Sequence, residues 1–208
     1  MGYLAALNCN TLMLKNYFKK KSKFSIAIDV LIGLMLILLL IPATRKDMAA
    51  LILKPTLIIH QPRVMKDKLP LKPATLQWQL QHTDGTRLTF GELEGKVVFI
   101  NLWATWCPPC IAEMPQLQKL YNDYSDKVVF LFVSNEEHST IKAFMEKKGF
   151  TLPAYMPLTQ YPDDFESTSI PTTFIINKKG EMVVNKSGVA QWNSQRIRKV
   201  LDVLIAQE

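Results

Sequence analysis

The chain has 208 residues, 48% of them hydrophobic and 21% charged, which suits one domain of ordinary size plus some extra chain and excludes disorder. Its net charge of +7 invites a nucleic-acid reading, but residues 1–44 carry five lysines against Asp29 alone, residues 45–68 carry six basic and two acidic residues, and residues 69–208 carry fourteen basic and fifteen acidic ones. The excess therefore lies wholly in the first third, which argues against a nucleic-acid partner, and three cysteines are too few for a disulfide-dense scaffold.

Phe24–Ile41 is an almost unbroken apolar run, and eighteen helical residues span about 27 Å, close to the hydrocarbon thickness of a bilayer. A buried core helix is the bland alternative, but the twelve apolar residues from Val30 to Ile41 argue for a membrane segment over 24–42. Asp29 sits near the basic end of the run, within reach of the headgroups. Five lysines (Lys15, Lys19, Lys20, Lys21 and Lys23) precede the run, while only Arg45 and Lys46 follow it closely. The charge bias keeps a basic segment, residues 1–23, in the cytoplasm and exports everything after the span. A cleaved signal peptide competes with this reading, but the apolar region is long for one and no small-x-small site follows Ile41. An uncleaved anchor is favoured. The first dozen residues are apolar, so translation could begin at Met13, and Cys9 reads as an incidental thiol. Residues 43–68 mix apolar and basic side chains, as in a connector lying on anionic lipid or a plain spacer.

From residue 69 to 208 the texture is globular. Thr75–Gln81 alternates, Asp84-Gly85 marks a turn and Arg87–Phe90 returns, predicting an N-terminal hairpin. Lys96–Ala104 is a near-continuous apolar run, the pattern of a strand buried on both faces. Pro108 to about Tyr124 has helical spacing, with Pro115 expected to kink it. Val128–Ser134 reads as a second buried strand and Thr140–Lys148 as a helix ended by Gly149. Thr172–Asn177 and Met182–Asn185 form another hairpin, and Ser194–Ala206 closes with an amphipathic helix. This order predicts an α/β fold with a mixed central sheet flanked by helices.

The chemistry concentrates at Trp106-Cys107-Pro108-Pro109-Cys110, where a central strand hands over to a helix. Two cysteines three apart at a helix start can close a small disulfide ring, and the helix N-terminus favours a thiolate. Cys107, the outer one, is the expected nucleophile. Cys110, one turn in and less accessible, resolves the mixed disulfide. A bare C-x-x-C can instead be half of a zinc site, but this region has no other cysteine, and His82 and His138 show no metal spacing. No metal and no cofactor beyond the Cys107–Cys110 disulfide is expected.

Phe99-Ile-Asn-Leu-Trp-Ala-Thr-Trp-Cys-Pro-Pro-Cys110, followed by Glu113 and Pro115, resembles membrane-anchored, thioredoxin-like thiol:disulfide oxidoreductases of the TlpA/ResA type. Ile170-Pro171-Thr172-Thr173-Phe174-Ile175-Ile176 is similar to the same family's second signature, a cis-proline loop facing the dithiol. The resemblance covers about residues 70–206 and implies a thioredoxin-like fold and a catalytic domain outside the bacterial cytoplasmic membrane. It also implies that Pro171 is cis and leaves the backbone of Ile170 free to pair with a substrate strand. Pro171 would otherwise be an ordinary turn proline. Glu113 matches the family's acidic residue and, three residues after Cys110, can accept that thiol's proton; its alternative is a surface acid in an early helical turn. Asn101 stands where thioredoxin has a buried acid, which strengthens the case for Glu113. Trp103 and Trp106 match family positions too, Trp106 as a substrate contact, although aromatic packing beside the motif would account for both. Ser169 replaces a common glycine before Ile170, Ser167 stands where an apolar residue is common, and Thr172 stands where cytochrome-maturation thioredoxins often carry Glu. The last departure weakens, but keeps as an alternative, a dedicated apocytochrome c reductase.

Two prolines between the cysteines bring neither charge nor backbone N–H, so the thiolate is less favoured and the disulfide harder to reduce than in strong oxidants. A potential more reducing than about −200 mV is expected. The chain then reads as a reductase of disulfides in exported proteins, recharged by a membrane thiol transporter that draws on cytoplasmic thioredoxin. A peroxidase needs Thr three residues before its cysteine, and Ala104 occupies that place. A copper-binding module using the same two cysteines is a rival from another class.

Overall fold

The computed structural model describes residues 22–40, 42–53 and 61–207, with side chains described outside 38–47. Residues 1–21 of the expected basic segment, Cys9 among them, and part of the connector therefore lie outside the described residues. The chain divides into two units, one ending at Met48 and one beginning at Ala49.

In the first unit, helix α1 (Lys23–Leu40) forms where the apolar run predicts it. Among the described residues no helix is long and apolar enough to cross a membrane. Helix α2 (Pro42–Leu53) follows, taking up part of the stretch read as a connector.

The second unit is built on an eight-stranded mixed sheet with the order β1-β8-β7-β4-β5-β6-β2-β3. Its strands are β1 (Leu69–Pro70), β2 (Gln79–His82), β3 (Arg87–Thr89), β4 (Val97–Leu102), β5 (Val128–Val133), β6 (Ala154–Pro157), β7 (Thr172–Ile176) and β8 (Glu181–Ser187). Every residue of β4 is buried, as a strand covered on both faces must be, and it runs parallel to β5 and antiparallel to β7. The period of two sorts its side chains: Val97 and Phe99 join one apolar cluster, Val98, Ile100 and Leu102 the other.

The helices are α3 (Pro108–Tyr124), α4 (His138–Lys148) and α5 (Gln195–Ala206). Gly149 ends α4 at φ 68°, a left-handed cap that only a residue without a Cβ adopts cheaply, and Ser194 caps α5 by accepting the N–H of Ile197 at 3.4 Å. The buried apolar residues of all three helices belong to the first cluster. The expected helices thus flank the sheet on the side of this cluster. The second cluster is closed by aromatic rings from short 3-10 turns, Phe90 and Phe165 packing edge-on at 5.2 Å with Trp78 beside both.

Both hairpins form as expected, β2–β3 around Gly85 and β7–β8 around Gly180. The sequence reading missed β6. This strand pairs parallel with β5 and antiparallel with β2, so it joins the N-terminal hairpin to the central sheet. Helix α3 continues through Pro115 to Tyr124.

Candidate active site

Strand β4 and the start of α3 place the dithiol. After Leu102, the Trp103 N–H still donates to the Val133 carbonyl at 3.0 Å, so the chain leaves the sheet only one residue before the loop. Cys107 is the N-cap of α3, and Pro108 occupies the first helical position, where a missing N–H costs nothing. With Pro109 next, the first free N–H within the motif belongs to Cys110, and it donates to Cys107 Sγ at 3.2 Å. The two sulfurs are joined in a disulfide, with the Cα atoms 5.3 Å apart.

The structure corrects the expectation that Cys107 is the outer and more accessible cysteine. In this oxidised form both residues are 2% exposed. Across the site the Ile170 carbonyl oxygen stands 3.9 Å from Cys107 Sγ, and Ile170–Pro171 is a cis peptide.

The loop that delivers the motif is clamped by a residue the sequence did not single out. Glu136 accepts the Thr105 N–H at 2.6 Å and the Thr105 hydroxyl at 2.7 Å, and the Ser134 hydroxyl lies 3.2 Å from the same carboxylate. Charge-assisted bonds of this kind are about twice as strong as neutral ones, so residues 104–106 are pinned to the end of β5. Aromatic packing explains Trp103, which is buried against Phe144 with ring centres 5.5 Å apart. It does not explain Trp106, which is 63% exposed.

Glu113 is not a surface acid. The first turns of α3 are buried on every side from Cys110 to Met114, and Glu113 is fully buried. Its Oε1 accepts the Ala190 N–H at 2.6 Å and the Trp192 indole N–H at 2.9 Å, while Oε2 has no partner among the described residues. Burial pushes its carboxyl up to about 8, with the two N–H donors and the charge of Lys186 pulling the other way. Near neutral pH this group is therefore poised between holding and releasing a proton. Asn101, also buried, spends its amide on the Thr173 hydroxyl at 2.8 Å across the β4–β7 ladder.

Two of the departures near Ile170, Ser167 and Thr172, turn out to have a shared physical role. The Ser167 hydroxyl donates to the Ser169 carbonyl and lies 2.8 Å from the Thr172 hydroxyl. Thr172 in turn donates to the Ser169 carbonyl at 2.8 Å and reaches the Ser187 hydroxyl at 3.1 Å. Hydroxyls thus staple the cis-proline loop onto β7 and β8. Beside it a groove of about 550 Å³ is lined by Trp106 and Ile170 together with the carboxylate residues Glu136, Asp163 and Glu166, and by no lysine or arginine. Among the described residues no cluster of three His, Cys, Asp or Glu side chains is disposed to hold a metal ion.

A family model described as Redoxin matches residues 66–204. The chain belongs to the redoxin family. Among curated relatives, the thiol-disulfide oxidoreductase ResA of Halalkalibacterium halodurans is 36% identical over 112 residues, covering 52% of this chain and 64% of that protein. ResA of Bacillus subtilis is 35% identical over 107 residues, covering 50% of this chain and 60% of that protein. The chain thus spans somewhat under two thirds of the length of these two relatives. A putative thiol:disulfide interchange protein DsbE from Chlorobium tepidum superposes with a TM-score of 0.56 at 18% identity, covering 67% of this chain and 99% of that one. A putative protein disulfide isomerase from Bacteroides thetaiotaomicron gives 0.54 at 20% identity, covering 71% and 95%. At these identities the likeness shows the fold, which is thioredoxin-like.

Within this redoxin domain the residues singled out in the sequence fall into two groups. Cys107, Cys110, Ile170 and Pro171 meet at the disulfide, with Trp106 on the adjoining groove. Glu113 lies on the same helix, turned into the 190–192 segment. The residues missed are Glu136, Ala190 and Trp192. Their partners lie 31 to 79 positions away in sequence, where no local spacing could have announced them.

Proposed function

We propose that this redoxin is a thiol:disulfide oxidoreductase that reduces disulfides of exported proteins through Cys107 and Cys110. The single observation that carries the reading is the dithiol at the N-terminus of α3, closed as a disulfide, with the Ile170 carbonyl 3.9 Å from Cys107 Sγ. A substrate strand would pair with the Ile170 backbone and lie against Trp106, in the groove that carries the acidic side chains.

The cycle has two half-reactions. In the reduced protein the Cys107 thiolate attacks one sulfur of a substrate disulfide, forming a mixed disulfide and expelling one substrate thiolate, which takes a proton from water. Cys110 then gives its proton to Glu113 Oε2 and attacks Cys107 Sγ. The second substrate thiolate leaves, and two electrons have passed to the substrate. On recharging, a donor dithiol attacks Cys107, and Cys110 departs as a thiolate that recovers the proton from Glu113. The second donor thiol then releases Cys107. No cofactor beyond the disulfide is needed.

The donor fits a membrane thiol transporter. The apolar run over 24–42, of which α1 covers only part, serves with the lysines before it as a single-pass anchor in the bacterial cytoplasmic membrane, with the redox domain on the outer side. The substrates are exported proteins containing disulfides, apocytochrome c among them.

Equilibration with glutathione buffers tests the direction of electron flow. Reduction of insulin disulfides together with a potential more reducing than about −200 mV supports the reading. A potential near −120 mV, the strong-oxidant figure, would overturn it.

A further inference from the structure

Residues 188–193, between β8 and α5, tie both halves of the site together. The Gly188 N–H donates to the Pro171 carbonyl at 2.8 Å. Ala190 donates its N–H to Glu113 Oε1, and its carbonyl accepts from the Gln116 side chain at 2.8 Å. The Trp192 indole N–H reaches the same Glu113 oxygen, and the Asn193 N–H reaches Gln116 Oε1 at 3.4 Å. One segment thus grips the cis-proline loop with its first residue and the dithiol's helix with the rest.

We propose that Trp192 is a positioning residue for thiol–disulfide exchange: its indole N–H, acting with the Ala190 N–H, occupies Glu113 Oε1 and makes Oε2 the oxygen that carries and exchanges the proton. This rests on the reading of Glu113 as the proton partner of Cys110.

The argument is one of valence and burial. An oxygen already facing two N–H groups has no room for a third hydrogen, so the proton of the neutral carboxyl sits on Oε2, buried and without a partner among the described residues. Trp192 is fully buried, and its ring stands edge-on to Phe99 of β4 with centres 5.4 Å apart and planes at 88°. The donor is therefore aimed by the core and needs no rearrangement when Glu113 gains charge. Among the described residues the charged side chain acting on Glu113 is Lys186 of β8, which also favours the ionised form. The helix itself contributes the Cys107–Cys110 pair. A tryptophan that only filled the core would still satisfy its N–H, so the distinction rests on what that N–H does to the acid.

The test uses the full chain with Trp192→Phe and, separately, with Trp192 replaced by β-(3-benzothienyl)alanine, which keeps the ring volume and exchanges N–H for sulfur. The infrared carboxyl band lost in Glu113→Gln identifies Glu113, and its intensity is followed against pH in the oxidised protein. Removing one donor to the ionised form should raise the midpoint by about one pH unit in both variants. Release of substrate from the Cys107 mixed disulfide should move to higher pH by the same amount. A midpoint unchanged in the isosteric variant overturns the proposal, and that variant answers even where Trp192→Phe fails to fold. A band that moves, combined with a release profile that is the same in wild type and Glu113→Gln, sinks the proton-partner reading and with it the kinetic role assigned to Trp192.

Discussion

The two sides of the disulfide are built differently. On one side the chain is open: Trp106 is 63% exposed, and a groove of about 550 Å³ runs past Ile170 between carboxylates. On the other side Glu113 is fully buried, with one oxygen bound to backbone and indole donors and the other unpartnered. The contrast follows from what each side has to exchange. A polypeptide can dock only where backbone and aromatic surface can be reached. A carboxyl can be brought near neutral pH only where water is kept away. The redoxin domain achieves both within a few residues, because the chain is at the surface at Trp106, just before α3, and the helix is buried on every side by Glu113.

The largest effect expected from breaking this division comes from the closed side. Glu113→Gln keeps the shape of the side chain but cannot take the Cys110 proton. The release step should slow about a hundredfold, the lower end of general acid–base contributions, and lose its pH dependence near 8. Rapid-quench measurement of mixed-disulfide decay against pH checks both.

The same substitution should change stability with the opposite sign. Glu113 titrates at about 8 in the folded chain against an ordinary 4.5, so between those values the folded state holds more protons than the unfolded one. Stability then falls as pH rises from 4.5 to 8, by an amount on the order of 3–5 kcal/mol. Thermal melts of the oxidised protein at pH 5 and pH 9 should show the wild type losing more than Glu113→Gln. Parallel losses in the two proteins would contradict the assignment.

Between the two sides stands the clamp on Thr105. Glu136→Ala leaves the buried Thr105 N–H and hydroxyl without their acceptor, at a cost of about 1–3 kcal/mol in denaturant unfolding. The smallest effects belong to the open side. Trp106→Ala should raise KM for a disulfide peptide by about threefold to tenfold, since stacked or packed aromatic contacts are worth roughly 1 kcal/mol, with Tm unchanged because the ring is mostly in solvent. Glu166→Lys, also exposed on the groove, should shift preference by a similar or smaller factor from basic toward acidic peptides in a paired KM comparison.

The open side and the dithiol were legible in the sequence for a local reason. Cys107, Cys110 and the two prolines sit within four consecutive positions, and a strand-to-helix handover explains their geometry without reference to the rest of the chain. Strands β4 and β5 announced themselves as apolar runs, and α3 by its spacing. The closed side was half legible: Glu113 stood out on a family resemblance, but its burial did not, because burial is conferred by Ala190 and Trp192, 77 and 79 positions away. Strand β6 escaped because Pro153 and Pro157 bracket a run too short to show alternation, and only its pairing with β2 and β5 defines it. The burial of Cys107 is not legible locally for a similar reason, since one of its neighbours is the carbonyl of Ile170, 63 residues on.

The division of labour between the two sulfurs is tested most directly by trapping. Reduced Cys110→Ser and reduced Cys107→Ser proteins are each mixed with a disulfide substrate, and the products are read by intact-mass spectrometry. The account predicts a long-lived one-to-one adduct on Cys107 in Cys110→Ser and little or none in Cys107→Ser. An adduct that forms readily on Cys110 in Cys107→Ser, with Cys110→Ser remaining free, would contradict it.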